Sequence, residues 1–238
     1  MAESLVGDNM NRVLVTGGSG FFGYWLRQTQ PDNIDGVYLS SNDYKELDWW
    51  LGTPYDYVIH CAPISPKKIL ELFPHKRILF TSSGAVYDRQ TKYAHNKRKW
   101  EQECLDSGVN VVITRPFTFI GEHLNGDFAI TNFIEQYKKG KPLKVYGDGS
   151  SVRSYLYGKD LGTWLWKILF EGDDIYDVGS IYLHTIVEVA KMISPNIKFV
   201  HPEHIEGVYL PVDVTPNWRL GLKETIGLKE AIQRCINA

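Results

Sequence analysis

Residues 12–23 constrain the chain most. Arg12-Val-Leu-Val-Thr16 is a short apolar strand that runs straight into Gly17-Gly-Ser-Gly-Phe-Phe-Gly23. Gly17, Gly20 and Gly23 are spaced G-x-x-G-x-x-G, and the stretch from Gly18 to Gly23 also satisfies G-x-G-x-x-G. A helical segment follows, from about Tyr24 to Thr29. In that context the glycines permit a tight turn, a close approach of backbone to a pyrophosphate, and close packing of helix on sheet. The N–H groups at the helix start then meet the phosphate charge. The same string is common as a structural turn, and its place between strand and helix is what favours dinucleotide binding.

The rest of the first half agrees with that start. Gly36-Val-Tyr-Leu-Ser40, Tyr57-Val-Ile-His60, Arg77-Ile-Leu-Phe-Thr81 and Asn110-Val-Val-Ile-Thr114 read as further short apolar strands. A short helical segment near Ile69 and a longer one from Tyr93 to Ser107 lie between them. Nearly continuous apolar strands alternating with helices describe a parallel sheet covered on both faces. After about residue 120 the alternation weakens. Helical patterns at 128–139, 160–170, 185–193 and 228–236 are joined by Gly/Pro-rich connections such as Tyr146-Gly-Asp-Gly-Ser-Ser151. With no linker or repeat between the halves, the second half reads as a lobe built onto the sheet.

Charge and cysteines exclude several functions. The 238 residues carry 26 basic and 28 acidic side chains, with no basic block, which argues against nucleic acid or an anionic membrane as the main partner. The most apolar stretch, Leu161 to Phe170, contains Lys167 and is flanked by Asp160 and Glu171, so no membrane span is expected. Residues 1–10 lack a basic and an apolar signal region, and Cys61, Cys104 and Cys235 form no disulfide framework or zinc spacing. The expectation is a reduced, cytoplasmic protein. His201-Pro-Glu-His204 lacks a third ligand, so no metal is expected.

The string Y-x-x-x-K occurs three times, as Tyr93/Lys97, Tyr137/Lys141 and Tyr155/Lys159. Only the first opens a helix after a strand that ends in hydroxyl residues, Thr81-Ser-Ser83. A spacing of four puts phenol and ammonium on one helical face. A nearby cation favours the phenolate, so Tyr93 is suited to exchange a proton while Ser83 orients a substrate oxygen. The other two pairs read as solvated helix faces.

These segments together resemble an extended short-chain dehydrogenase/reductase of the nucleotide-sugar epimerase/dehydratase type. The resemblance runs from Val13 to about Ile236. It is carried by the glycine turn, Val58-Ile-His-Cys-Ala62, Thr81-Ser-Ser-Gly-Ala-Val-Tyr87, Tyr93-Ala-His-Asn-Lys97, Thr114-Arg-Pro-Phe117 and Gly121. In the second half it rests on Val145-Tyr-Gly-Asp-Gly-Ser-Ser-Val-Arg153, Asp160 and Tyr176-Asp-Val-Gly179. It implies a Rossmann-type doubly wound parallel sheet with a small C-terminal substrate lobe. Residues 1–120 would be the NAD(P)-binding domain with its catalytic helix, and residues 121–238 mainly the substrate lobe, interleaved with the sheet.

Residue by residue, the resemblance implies that Gly17, Gly20, Phe21, Phe22 and Gly23 hold the cofactor pyrophosphate. Ala62 and Pro63 would line the nicotinamide-side ribose, which Lys97 also bonds, and Pro116 and Phe117 would sit near the nicotinamide. Cys61, at the strand end, would pack around the cofactor cleft. Ser83, Tyr93 and Lys97 match the catalytic positions, Arg153 the arginine that grips the substrate diphosphate, and Thr118 stands where the family usually has Asn. Ser83 and Tyr93 would also touch substrate. The second strand ends in Ser40-Ser41 with Asp43 as the nearest carboxylate, so the usual acid for the ribose is missing. Serine hydroxyls could donate to a 2′-phosphate, which inclines the reading to NADP, although no arginine lies nearby to clamp it.

Departures narrow the chemistry. Dehydratases of this family carry an Asp-Glu pair where this chain has Gly84-Ala85, and the decarboxylases also carry an acid there. The cysteine and histidine of GDP-fucose synthase-like enzymes are missing too. What remains is reduction of a sugar ketone, above all a 4-keto group, or C4 epimerisation with bound NAD. A reading of another class is a non-catalytic cofactor-binding regulatory protein. Relatives pair through the helix that begins at Tyr93, which implies a homodimer.

Overall fold

The computed structural model describes residues 10–40, 43, 54–87, 91–201, 203 and 208–238. Strand β1 (Asn11–Thr16) leads through the glycine turn to helix α1 (Phe21–Gln28) and back to β2 (Ile34–Leu39). Strand β3 (Tyr57–His60), α2 (Lys67–Leu72), β4 (Arg77–Thr81), α3 (Lys92–Asp106) and β5 (Val111–Pro116) follow. The chain then leaves the sheet and returns with β9 (Ile175–Val178). The six strands are all parallel, in the order β2-β1-β3-β4-β5-β9. This is the Rossmann-type doubly wound sheet.

The apolar strands are explained by cover on both sides. Side chains alternate across a strand. Val13 and Val15 face one layer with Ile59 and Leu79, against α1 and the long helix α5 (Gly158–Glu171). Leu14, Val58, Ile78 and Phe80 face the other, against Ile69 and Leu70 of α2 and Cys104 of α3. Strand order reverses between β1 and β3, and a cavity opens at the carboxyl ends of β3, β4 and β5.

The excursion between β5 and β9, with the chain after β9, builds the lobe. It contains β6 (Thr118–Ile120), α4 (Ala129–Lys138), β7 (Leu143–Tyr146), β8 (Val152–Tyr157), β10 (Leu183–Thr185), α6 (Ile186–Ile193), β11 (Ile197–Val200), β12 (Val208–Tyr209), α7 (Thr215–Arg219) and α8 (Leu228–Asn237). Strand β8 is its centre, pairing with β10 antiparallel and with β6 and β12 in parallel. A second core of Ile130, Phe133, Val145, Tyr155, Val189 and Ile232 holds these elements together. Trp25 of α1 belongs to that core, so the lobe is packed directly on the sheet layer.

Candidate active site

The glycine turn is pulled onto its neighbours. Gly17 has φ +76°, and a Cβ there would lie 2.9 Å from the Ala62 nitrogen. A Cβ on Gly23 would lie 2.5 Å from the Gly18 backbone. Gly20 differs, because a Cβ there meets only the Gly17 carbonyl at 3.4 Å. It is the N-cap of α1, in extended conformation and without a side-chain cap bond. Room is thus left beside the uncapped start of α1, the feature a pyrophosphate site uses. Phe22 continues into the main cavity, whereas Phe21 stacks on Phe119 with centroids 4.9 Å apart.

At the end of β2, the Ser40 hydroxyl and N–H both donate to Asp43, at 2.7 and 2.8 Å, which holds that carboxyl below its usual range. The proton that could have met a 2′-phosphate is thus already given to a carboxylate. Ser41 lies outside the described residues. At the end of β3, His60 is fully buried, with Nδ1 2.7 Å from Thr16 Oγ1 and Nε2 3.2 Å from the Ile64 carbonyl. A carbonyl only accepts, so Nε2 carries the proton and Nδ1 accepts from Thr16. Burial, helped by the Lys97 charge, pushes His60 down to about 4. The next residue, Cys61, puts its thiol 3.2 Å from Thr81 Oγ1, and burial pushes it up to about 11, opposed by the Thr81 hydrogen bond and the Lys97 charge.

Helix α3 sets the Tyr-Lys pair. Thr91 caps it, accepting from the Ala94 N–H at 3.0 Å, so Tyr93 falls in the first turn and Lys97 one turn later. Lys97 is 3% exposed and donates to the Thr81 carbonyl at 2.8 Å, docking the helix on the end of β4. Its Nζ lies 5.9 Å from the Tyr93 ring centroid. Burial lowers Lys97 to about 8, opposed in part by Cys61 and Glu101. The Tyr93 side chain is half-exposed at the cavity. Ser83, just past β4, accepts from the Ala85 N–H at 3.2 Å.

The cavity measures about 890 Å³ and gathers Ser83, Tyr93, Lys97, Cys61, Pro63, Pro116, Phe117, Thr118 and Arg153. Sheet and lobe both contribute, with Arg153 reaching it from β8 and Thr118 from the start of β6. Ala62 lies behind the wall, against Gly17. Gly84 is forced by packing, since a Cβ there would lie 2.6 Å from the Phe117 ring. An acid at that position would have to displace Phe117. Among the described lining residues the only carboxylate is Asp127, on the lobe side, which accepts from Asn132 at 2.7 Å.

The other two Tyr-Lys strings separate. Tyr137 is exposed in α4 and Lys141 lies beyond the helix end. Tyr155 is buried in β8 while Lys159 is exposed in α5, so this pair does not share a helical face. Tyr155 does line the cavity, and so do Phe119, Phe128 and Tyr209, which no spacing in the sequence singled out. Tyr209 is held by a two-residue strand beside Arg153 and carries no local signature. His201 is described and His204 is not; among the described residues no group of three potential metal ligands occurs. Nor, among them, is any helix long and apolar enough to cross a membrane.

A parallel sheet with a glycine turn at its switch point, facing a serine, a tyrosine and a lysine across a cleft, defines the nicotinamide-dinucleotide class of Rossmann-type proteins. The family model described as NAD dependent epimerase/dehydratase matches residues 30–179, and the chain belongs to that family. It is 25% identical over 253 residues to UDP-glucuronic acid decarboxylase 1 of Danio rerio, a match covering 77% of this chain and 60% of the relative. It is also 35% identical over 89 residues to a trifunctional UDP-glucose 4,6-dehydratase/3,5-epimerase/4-keto-reductase of Arabidopsis thaliana, covering 37% of this chain and 13% of that one. The chain thus spans less than two thirds of either relative. Among solved structures, dTDP-glucose 4,6-dehydratase from Bacillus anthracis with NAD superposes at TM-score 0.79 and 16% identity, covering 95% and 96% of the two chains. RMD from Pseudomonas aeruginosa with NADPH gives 0.78 and 21%, covering 97% of each. At such identities the structures share the fold.

Proposed function

We propose that the protein is an NAD(P)-dependent oxidoreductase that reduces the 4-keto group of a nucleotide-activated sugar. The observation that carries this reading is a cavity in which Ser83, Tyr93 and Lys97 converge with no acid at Gly84-Ala85, Phe117 filling the space a side chain at residue 84 would need. The resemblance puts an acid at these two positions in dehydratases and decarboxylases, whereas reduction and C4 epimerisation need none.

The residues fit a dinucleotide, because the cradle at Gly20 is open and α1 starts uncapped. Gly17, Gly20, Phe22 and Gly23 would hold the pyrophosphate, and Cys61, Pro63, Lys97, Pro116 and Phe117 the nicotinamide end, with Ala62 packing behind against Gly17. When bound, that group supplies hydride. Ser83 then donates a hydrogen bond to the ketone oxygen, and Tyr93 protonates the alkoxide as it forms. Lys97 holds positive charge beside Tyr93, which stabilises the phenolate left when Tyr93 gives up its proton, until a proton from solvent restores it. Arg153 presents a planar fork to the substrate diphosphate. In this reading residues 1–120 serve the cofactor and 121–238 mainly the sugar nucleotide.

The test is oxidation of NADH and of NADPH against a panel of nucleotide 4-keto sugars, with Tyr93→Phe as control. Net cofactor consumption that Tyr93→Phe abolishes supports the reductase. Protein that purifies with NAD and interconverts C4 epimers without net consumption replaces it with the epimerase. Binding of cofactor and sugar nucleotide with no turnover of any kind replaces both with a regulatory protein. Because Ser40 already donates to Asp43, its hydroxyl no longer argues for NADP, and the two cofactors are compared directly. Light scattering reads whether two copies pair.

A further inference from the structure

Ser83 is held by more than its own turn. Its Oγ accepts from the Ala85 N–H at 3.2 Å and lies 3.3 Å from the Tyr209 hydroxyl, across 126 residues of sequence. The Tyr209 ring packs on Phe117 with centroids 5.0 Å apart, and its neighbour in β12 pairing is Arg153. The segment that carries Tyr209 is pinned. The Val212 and Asp213 N–H groups donate to the buried Asp177 carboxylate at 2.7 and 3.1 Å. The Tyr87 hydroxyl donates to the same carboxylate, and Arg115 joins Tyr87 to Glu101 of α3. The strap bearing Tyr209 and the helix bearing Tyr93 and Lys97 are therefore tied into one network.

A serine hydroxyl has two acceptor lone pairs and one proton, and a phenol is a stronger donor than an alkanol. With the Ala85 N–H on one lone pair and the Tyr209 phenol on the other, the only hydrogen bond Ser83 has left is the one it donates. We infer that Tyr209 is a positioning residue: by donating to Ser83 Oγ it obliges Ser83 to present its own proton to the substrate oxygen. A ketone oxygen becoming an alkoxide needs a donor there, and a serine free to rotate would spend part of its time pointing elsewhere. Tyr209 acts through Ser83, so the inference rests on the reading of Ser83 as the group facing the substrate oxygen.

Tyr209→Phe removes the hydroxyl and keeps the ring on Phe117. The expected result is a roughly 3- to 10-fold fall in kcat, the worth of one hydrogen bond, with KM changed less than about two-fold. In a Ser83→Ala background the same substitution should change kcat by less than about two-fold, because the group it orients is gone. An equal loss in both backgrounds, or a change confined to KM, overturns the inference. A second measurement needs no turnover. In protein labelled with 13C at the tyrosine ring carbon that bears oxygen, the Tyr209 resonance is identified by its loss in Tyr209→Phe. Ser83→Ala should move that resonance, and an unmoved one overturns the inference. If the wild type reduces no keto sugar yet the resonance moves, the functional reading fails and the hydrogen bond stands.

Discussion

His60 provides a direct test of the packing under the cleft. It is fully buried at the end of β3, between Thr16 and the Ile64 carbonyl, with its ring stacked near that of Phe80. Its pKa falls from 6.5 to about 4 because burial penalises the imidazolium and Lys97 repels it. In the unfolded chain the ring is hydrated and takes its proton near 6.5. Between these values the unfolded state binds the extra proton, so stability falls as pH falls through that window. A difference of about 2.5 units corresponds to roughly 3 kcal/mol in full, of which about 2 kcal/mol should be lost between pH 7 and pH 5. The reference is His60→Gln, whose amide can still donate to Ile64 and does not titrate. Urea unfolding of both proteins at pH 7, 6 and 5, followed by tryptophan fluorescence, gives the difference curve, in which the other titrating groups cancel. The wild type should lose its advantage over His60→Gln steadily as pH drops. A difference that stays level within about 0.5 kcal/mol would refute the claim that the buried ring is held neutral.

Three further outcomes are expected. Lys97, at about 8, should give kcat/KM of the proposed reduction an upper limb near that pH, as the ammonium beside Tyr93 is lost; Lys97→Met should remove the limb together with most of the activity. Gly23→Ala forces a Cβ to 2.5 Å from the Gly18 backbone and should cost about 1–3 kcal/mol in urea unfolding. Nicotinamide-dinucleotide affinity, read by calorimetry, should fall with it. The Glu101–Arg115 pair, at 2.7 Å with side chains 7% and 18% exposed, is nearly buried, so Glu101→Gln should destabilise by roughly 3 kcal/mol. The double change Glu101→Leu with Arg115→Met should cost less, and a larger loss in the double variant would contradict that account.

Much of the sheet was legible because its physics is local. The strands from β1 to β5 stand within a few residues of their expected positions, since a strand buried on both faces must be apolar throughout and a turn at a phosphate site must be glycine. The helix holding Tyr93 and Lys97 was legible for the same reason, with its start displaced by one residue where Thr91 caps it. The lobe was far less so. Strands β6, β10 and β12 are two or three residues long, too short for any periodicity, and they exist because β8 offers them edges. Helix α1 begins at Phe21 rather than near Tyr24, because the glycine turn passes straight into it.

The sequence by itself therefore determined a parallel sheet covered on both faces, a glycine turn between its first strand and helix, and a serine, a tyrosine and a lysine at the spacing that the proposed proton exchange uses. Those features follow from spacing and side-chain chemistry within a few residues. Tertiary structure alone decided that Ser40 gives its proton to Asp43 and that Tyr155 of the third Tyr-Lys string is buried in a strand away from Lys159. It also decided that the Tyr93/Lys97 pair picked from the sequence shares a cavity with Ser83, that Phe117 closes the space beside Gly84 and that Tyr209 reaches Ser83. These contacts join residues up to 126 positions apart. The packing of lobe on sheet creates them, and no local pattern encodes them.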